Sequence, residues 1–332
     1  MATVHAGQRS PSLKHQIPVI HSNSEFDLVH DLEKGLAPRR AIEAAMNSGE
    51  LKHVHKDTLV MRGRIARPIL RGILKTAGMY SRGIRNALQP VVRNVRLEFA
   101  DLPASFDGFR ILQLADLHID GMDGLAEIVA DRIADLHADV CVMTGDYRFE
   151  LVGPCPEVYP RLRTILSSVH ADHGVVAVMG NHDESDMAGE IEKLGVRMLI
   201  NEAIEIQRAG TSLWVVGVDD PHCYGFNDLP GALEGVPENE FKVLLAHSPE
   251  IYEEAATAGI HLCLCGHIHA GQIRLPLIGS ILSNADCPKI YTEGVWRHAG
   301  MTGYTCAGVG CSLLPVRYNC PPEIAMIELV RK

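Results

Sequence analysis

Five short segments of this chain each end an apolar run on side chains that can ligate a metal. They are Asp116-Leu117-His118, Gly145-Asp146, Gly180-Asn181-His182-Asp183, Ala246-His247 and Gly266-His267-Ile268-His269. A short apolar run closed by Gly or Asp reads as a buried strand feeding a turn. The chain must therefore fold so that several buried strands end on polar residues. Asp116, His118, Asp146, Asn181, His247, His267 and His269 are the candidate ligands, with His182 as a further histidine among them. Such a set suffices to hold two divalent cations side by side.

The surrounding pattern supports that geometry. Val91–Phe99, Ile111–Ala115, Val140–Thr144, Val175–Met179, Val243–Ala246 and Ile260–Cys265 read as strands. Leu125–His137 and Val158–Val169 read as helices, and residues 203–218 as a hairpin with Gly210 near its turn. The last third, to about Leu329, reads as mostly short strands and turns. Strands that alternate with helices imply β-α-β units, and the later strands imply a second sheet. In open α/β sheets, ligands bind at the carboxyl ends of the strands, which is where every candidate ligand falls.

The N-terminal part differs. Residues 1–25 read as a loose tail, and residues 26–90 as a helical segment ahead of a catalytic domain at 91–332. Phe26, Leu28, Leu32, Ala41, Ile42 and Ala45 are the apolar positions of the first helical stretch, which Pro38 is expected to divide in two. Residues 61–96 hold nine Arg or Lys and no acid, although the chain carries a formal net charge of −10. Taken as one helix over 61–88, Arg64, Arg67, Arg71, Lys75, Arg82 and Arg85 fall within an arc of about 80°. Ile65, Ile69, Ile73, Tyr80, Ile84 and Leu88 lie on the other side. This is the pattern of a helix lying on an anionic membrane. The alternative is a helix packed on the main domain with its arginines solvated.

No apolar run reaches the ~18–20 residues of a membrane span, and the first residues lack a secretory pattern. The expected location is the cytoplasm, peripheral at the inner face of its membrane. The nine cysteines, an odd number with no Cys-x-x-Cys pair, read as reduced and mostly buried thiols. The acidic remainder makes nucleic acid an unlikely partner.

A bridging carboxylate can hold two cations about 3.5–4 Å apart and bring a shared water toward neutral acidity. The same cations offset charge on the oxygens of a phosphoester. Histidine and carboxylate ligands suit manganese, iron or zinc better than magnesium or calcium, with manganese the first expectation.

The order D-x-H, G-D, G-N-H-D, a lone H and G-H-x-H resembles that of the calcineurin-like metallophosphoesterases, over roughly residues 91–330. The resemblance implies an α/β fold: a double β-sandwich flanked by helices, in four layers α/β/β/α, here with an N-terminal helical extension. It implies that Asp116, His118 and His269 hold one metal, that Asn181, His247 and His267 hold the other, and that Asp146 bridges them. It makes His182 the group that protonates the leaving oxygen or binds phosphate. More narrowly, Gly266-His267-Ile268-His269-Ala270-Gly271-Gln272 and the stretch Leu314–Ile324 are similar to a bacterial phosphodiesterase branch. Relatives there often begin with a membrane segment, and some cleave the pyrophosphate of lipid A precursors.

Three departures stand out. Phe149 occupies the position where relatives carry the acid or Asn that orients the catalytic histidine. Ala270 replaces a common Gly, and the basic segment replaces the membrane span. Asp183 or another carboxylate is expected to support His182, which makes His182 and Asp183 the expected catalytic residues. Asn181, His222 and Arg317 are the expected substrate contacts, with Tyr224 on the same pocket-facing loop as His222; for Arg317 the competing reading is a structural salt bridge. The expected activity is hydrolysis of a phosphodiester or pyrophosphate by a metal-bridging hydroxide, on a lipid-linked substrate. The competing readings are an idle interaction module on the same fold, favoured by Phe149, and a nuclease.

Overall fold

A computed structural model describes residues 32–48, 55–276, 279–280 and 285–332. The expected tail at 1–25, together with Phe26 and Leu28, lies outside the described residues. Two six-stranded sheets form the centre. The first is built from β1 (Val91–Phe99), β2 (Phe109–Leu114), β3 (Val140–Met143), β4 (Val175–Ala177) and β5 (Val196–Met198), completed by the C-terminal strand β12 (Glu323–Arg331). Its order is β1-β12-β2-β3-β4-β5. The second contains β6 (Glu202–Arg208), β7 (Thr211–Gly217), β8 (Phe241–Leu245), β9 (Leu262–Cys265), β10 (Gly294–His298) and β11 (Met301–Thr305), in the order β10-β11-β9-β8-β7-β6.

The central strands are apolar on both faces because both faces are covered. Ile111, Val140, Val142 and Val176 of the first sheet meet Leu213, Val215, Val243, Leu245, Leu262 and Leu264 of the second. The alternate residues Leu112, Leu114, Cys141 and Met143 face helices α4 (Leu125–Ile133), α5 (Val158–Leu166) and α6 (Asp186–Glu192). On the far side, Val216, Leu244, Cys263 and Cys265 pack under α7 (Tyr252–Thr257). Period-two alternation in a strand thus produces the four expected layers, helix–sheet–sheet–helix. The hairpin falls where the pattern placed it, with Ala209 and Gly210 both at positive φ between paired Arg208 and Thr211.

Two expectations needed correction. Pro38 does not divide the first helix: α1 runs Leu32–Ser48 through it. Proline forfeits one helical hydrogen bond, but Leu36 on the same helix is buried in the main core, so packing sustains the element. The basic segment is not one helix but two, α2 (His55–Thr76) and α3 (Tyr80–Ala87). Gly78 at φ 68° turns the chain between them. The last third is mostly short strands and turns, as expected, with one long strand at its end. β12 has nine residues and returns to the first sheet, between β1 and β2.

Ile327 of β12 lies opposite both Val95 and Ile111 and is fully buried between the sheets. We predict that Ile327→Ala costs about 2–5 kcal/mol of stability, read from the denaturant midpoint.

Candidate metal centre

The carboxyl ends of β2, β3, β4, β8 and β9 meet at one edge of the sandwich. The loops that follow them carry Asp116 and His118, Asp146, Asn181 and His182, His247, and His267 and His269. All eight side chains are buried. Among the described residues, three overlapping groups bring their ligand atoms within 4.8 Å of one another: Asp116, His118 and His269; His118, Asp146 and His182; Asp146, His247 and His267. His118 is shared by the first and second groups and Asp146 by the second and third, so the three form one chain of contacts.

The backbone bends sharply to aim these side chains inward. Asp116 (φ 47°), His118 (φ 37°), Asp146 (φ 57°), His267 (φ 72°) and His269 (φ 51°) all adopt the left-handed region, uncommon for non-glycine residues. Strain concentrated on one cluster marks a site whose geometry the surrounding structure imposes. Neighbouring glycines make room. A Cβ at Gly180 would meet the Asp146 backbone nitrogen at 2.5 Å and His247 Cε1 at 2.9 Å.

Hydrogen bonding shows what the imidazoles offer. His118 Nδ1 lies 2.7 Å from the Arg148 carbonyl and His247 Nδ1 lies 2.8 Å from the Thr144 carbonyl. A carbonyl only accepts, so both Nδ1 atoms donate, and each Nε2 turns its lone pair to the cluster. His118 Nε2 then faces His269 Nε2 at 3.1 Å. His247 Nε2 faces Asn181 Oδ1 at 2.9 Å, His267 Nδ1 at 3.2 Å and Asp146 Oδ2 at 3.4 Å. Only a proton or a metal cation can sit between such atoms. The electrostatics agree. Burial opposes a charge on His247, yet the Asp146 carboxylate outweighs it and pushes the imidazole up to about 10. Burial likewise opposes ionisation of Asp146, but His247 and His182 hold it well below the usual carboxylate range. Burial lifts Asp116 to about 6. Burial, His118 and Arg317 hold His269 well below the usual imidazole range. The centre attracts positive charge strongly enough to retain a proton deep in the fold, and the same property suits it to divalent cations.

His182 is tied at two points. Its backbone N–H donates to Asp146 Oδ1 at 2.8 Å, and its Nδ1 lies 2.8 Å from the Phe149 carbonyl. The position that lacks an acid therefore orients the histidine through its main chain. His182 Nε2 points back to the cluster, 3.9 Å from Asp146 Oδ2.

The expected role of Asp183 needs revision. Its carboxylate accepts from the backbone N–H groups of Asp146, Tyr147 and Gly180, each at 2.8 Å, and is fully buried. It holds two ligand-bearing loops together instead of reaching the reacting groups. Arg317 is also placed differently from a substrate clamp. It is fully buried, and its Nη2 donates to the carbonyls of Gly310 (2.6 Å), Ala307 (2.8 Å) and Gly308 (2.9 Å) behind His269. His222 does reach the rim: its ring lies 4.2 Å from that of His267, and its Nδ1 lies 2.8 Å from Glu250 Oε1. Tyr224 is buried, and its hydroxyl bonds to Glu43 Oε1 at 3.2 Å and to the Asp183 carbonyl at 3.3 Å.

Arg39, Glu43 and Asp219 were missed. Arg39 and Glu43 belong to α1, and Arg39 pairs with Asp219 behind the Gly180–Asp183 loop. The available signal was the stripe Leu32, Leu36, Arg39, Glu43, which puts two charges on the buried face of the helix.

The family model for calcineurin-like phosphoesterases matches residues 109–271. The phosphodiesterase YaeI of Escherichia coli is 31% identical over 232 residues, which cover 67% of this chain and 82% of that protein. YkuE of Bacillus subtilis, an uncharacterised metallophosphoesterase, is 29% identical over 239 residues, 69% of this chain and 81% of its own length. A transmembrane protein with metallophosphoesterase domain from Danio rerio is 27% identical over 331 residues, 92% of this chain and 69% of that one.

Two substitutions probe this geometry. Gly180→Ala is expected to lower manganese affinity about tenfold or more in calorimetric titration, because the added methyl displaces Asp146 or His247. Ala270, at φ 47° and ψ 28°, stores strain that glycine would release. Ala270→Gly should raise the stability of the metal-free protein by about 1 kcal/mol in denaturant unfolding. The chain belongs to the calcineurin-like phosphoesterase family and is a metal-dependent hydrolase of phosphoester bonds.

Proposed function

We propose that this calcineurin-like phosphoesterase cleaves a phosphodiester or pyrophosphate bond at a two-metal centre. In this reading Asp116, His118 and His269 hold one cation, Asn181, His247 and His267 hold the other, and Asp146 bridges them. The observation that carries it is the convergence of these seven buried side chains from five strand ends, with two imidazole Nε2 lone pairs aimed inward. When bound, the cations would supply Lewis acidity and a water of lowered pKa. Manganese fits the mixed nitrogen and oxygen donors, as do iron and zinc.

The remaining work falls to the chain. His182 keeps Nδ1–H on the Phe149 carbonyl, so Nε2 is the atom that carries the exchangeable proton. Protonated there, it donates to the leaving oxygen; unprotonated, it accepts from the product alcohol. Asp183 holds the Asp146 and Gly180 loops so that this geometry persists. Asn181 and His222 are the groups we assign to substrate contact. The intact ligand set favours this reading over an idle module, since Phe149 replaces the orienting acid with a carbonyl without freeing His182.

The finer reading is that the substrate is a lipid-linked phosphate ester at an anionic membrane face, with the protein peripheral on it. Its support is α2. Leu70 and Leu74 pack inward, while Ile65, Ile69 and Ile73 form an outward row, each more than half exposed. Fully burying one such side chain contributes about 1.5–3 kcal/mol. Exposed Arg71, Lys75, Arg82 and Arg85 lie along α2 and α3. The helix also adjoins the site: Arg67 pairs with Glu150 at 2.6 Å and lies 5.0 Å over the Phe149 ring. Among the described residues, no helix is long and apolar enough to cross a membrane.

With manganese, the protein should hydrolyse bis(p-nitrophenyl) phosphate, and Asp146→Asn should abolish the reaction. His182→Gln should lower kcat by about 100-fold or more. Inactivity with manganese, zinc, iron and nickel alike would refute the enzymatic reading. For the membrane reading, the protein should sediment with phosphatidylglycerol vesicles at low salt, and Ile69→Glu should weaken this. No sedimentation would refute it while leaving the hydrolytic reading intact.

A further inference from the structure

We infer that Arg39, on the N-terminal helix α1, is a positioning residue for the loop that carries Asn181 and His182; the inference rests on the proposed role of those two residues. Arg39 lies outside residues 109–271, the part matched by the family model. It is nevertheless fully buried. Its Nη1 donates to the Asp183 carbonyl at 2.7 Å, and both terminal nitrogens lie 3.2 Å from the Gly180 carbonyl. Gly180 and Asp183 bracket Asn181 and His182, so one guanidinium grips both ends of this loop. The loop has no helix or strand of its own to stiffen it.

The other edge of the guanidinium grips the second sheet. Nε donates to Asp219 Oδ1 at 3.0 Å and Nη2 to the same oxygen at 2.5 Å. Asp219 follows β7, and its Oδ1 also accepts from the Asp220 N–H at 2.8 Å. The flat face of the guanidinium rests 3.7 Å from the centre of the Tyr224 ring. One turn further along α1, Glu43 accepts from the Ser185 N–H at 2.9 Å and from its hydroxyl at 2.5 Å.

The consequence is geometric. Asp116, Asp146 and Asn181 follow strands of the first sheet, whereas His247 and His267 follow strands of the second. Their mutual spacing depends on how the two sheets' loops are held together. Arg39 ties a loop of the first sheet to a loop of the second with a fork whose donors have fixed angles. Lysine, a single point of charge, can keep the Asp219 pair but cannot also span the two carbonyls. The extension that reads as an accessory segment therefore completes the site from behind.

The test uses the full chain with Arg39→Lys, the double variant Arg39→Met/Asp219→Asn, and Arg40→Met as control. Arg40 is the next residue on α1, exposed and paired with Glu33. Removing both buried charges in the double variant avoids leaving Asp219 alone, and thermal unfolding checks that it folds. Three readouts follow: amide exchange of residues 180–186 in metal-free protein, manganese affinity by calorimetry, and kcat and KM on bis(p-nitrophenyl) phosphate. We expect the folded double variant to exchange faster in this loop and to lose about 10–100-fold in manganese affinity or kcat, with KM little changed. Arg39→Lys should fall between it and the wild type, and Arg40→Met should match the wild type. A folded double variant with wild-type exchange, affinity and kcat would overturn the inference. So would wild-type values in Arg39→Lys, which decides the matter if the double variant does not fold. If the unaltered protein hydrolyses no phosphoester, the proposed function fails, while loop exchange and manganese affinity still judge Arg39.

Discussion

The structure depends on one electrostatic constraint. Seven side chains with ligand lone pairs, two of them carboxylates, are buried at the edge of a tightly packed apolar sandwich. Taking such groups out of water is costly unless each finds a partner. Around His247 the partners are mainly other acceptors, and only positive charge reconciles them. The elevated His247 and the depressed Asp146 express the same demand from opposite sides. The left-handed backbone at five of the ligands is the conformational cost of meeting it.

The strand ends were legible because they rest on local physics. A buried strand in a covered sheet is continuously apolar, and the polar residues that follow it have to serve the site or face water. The five segments, the hairpin turn at Gly210 and the presence of two sheets follow from that, whereas the four layers were what the family resemblance implied. What escaped depended on distant partners. Pro38 is an interruption only if helix propensity decides, and the burial of Leu36 and Arg39 decides otherwise. The segment around Gly78 is one helix by side-chain periodicity, yet a single left-handed glycine breaks it. The nine-residue β12 was obscured because its role comes from pairing with strands more than two hundred residues earlier.

The site shows the same division. Ligand types and order are written in side chains, so they were readable. The partner of His182 is a main-chain carbonyl at Phe149, which any residue could supply, and the identity of position 149 therefore misleads. Asp183 was the stand-in for the acid absent at position 149 and Arg317 either a structural ion pair or a phosphate clamp, but burial and hydrogen bonds to the main chain make both of them struts. Arg39 was passed over, because its ion-pair partner Asp219 lies 180 residues away. A contact of that range hides the partner, and the helical stripe Leu32, Leu36, Arg39, Glu43 was its one local trace.

The N-terminal helices thus meet the candidate metal centre from two sides. α1 reaches behind the Asn181–His182 loop, and α2 touches the Phe149–Glu150 rim in front of it. The central claim is nevertheless the cradle itself, and it is tested most directly by anomalous diffraction from crystals loaded with manganese. The account predicts two peaks about 3.5–4 Å apart, with Asp146 between them. A single peak, or peaks that do not share Asp146, would contradict it.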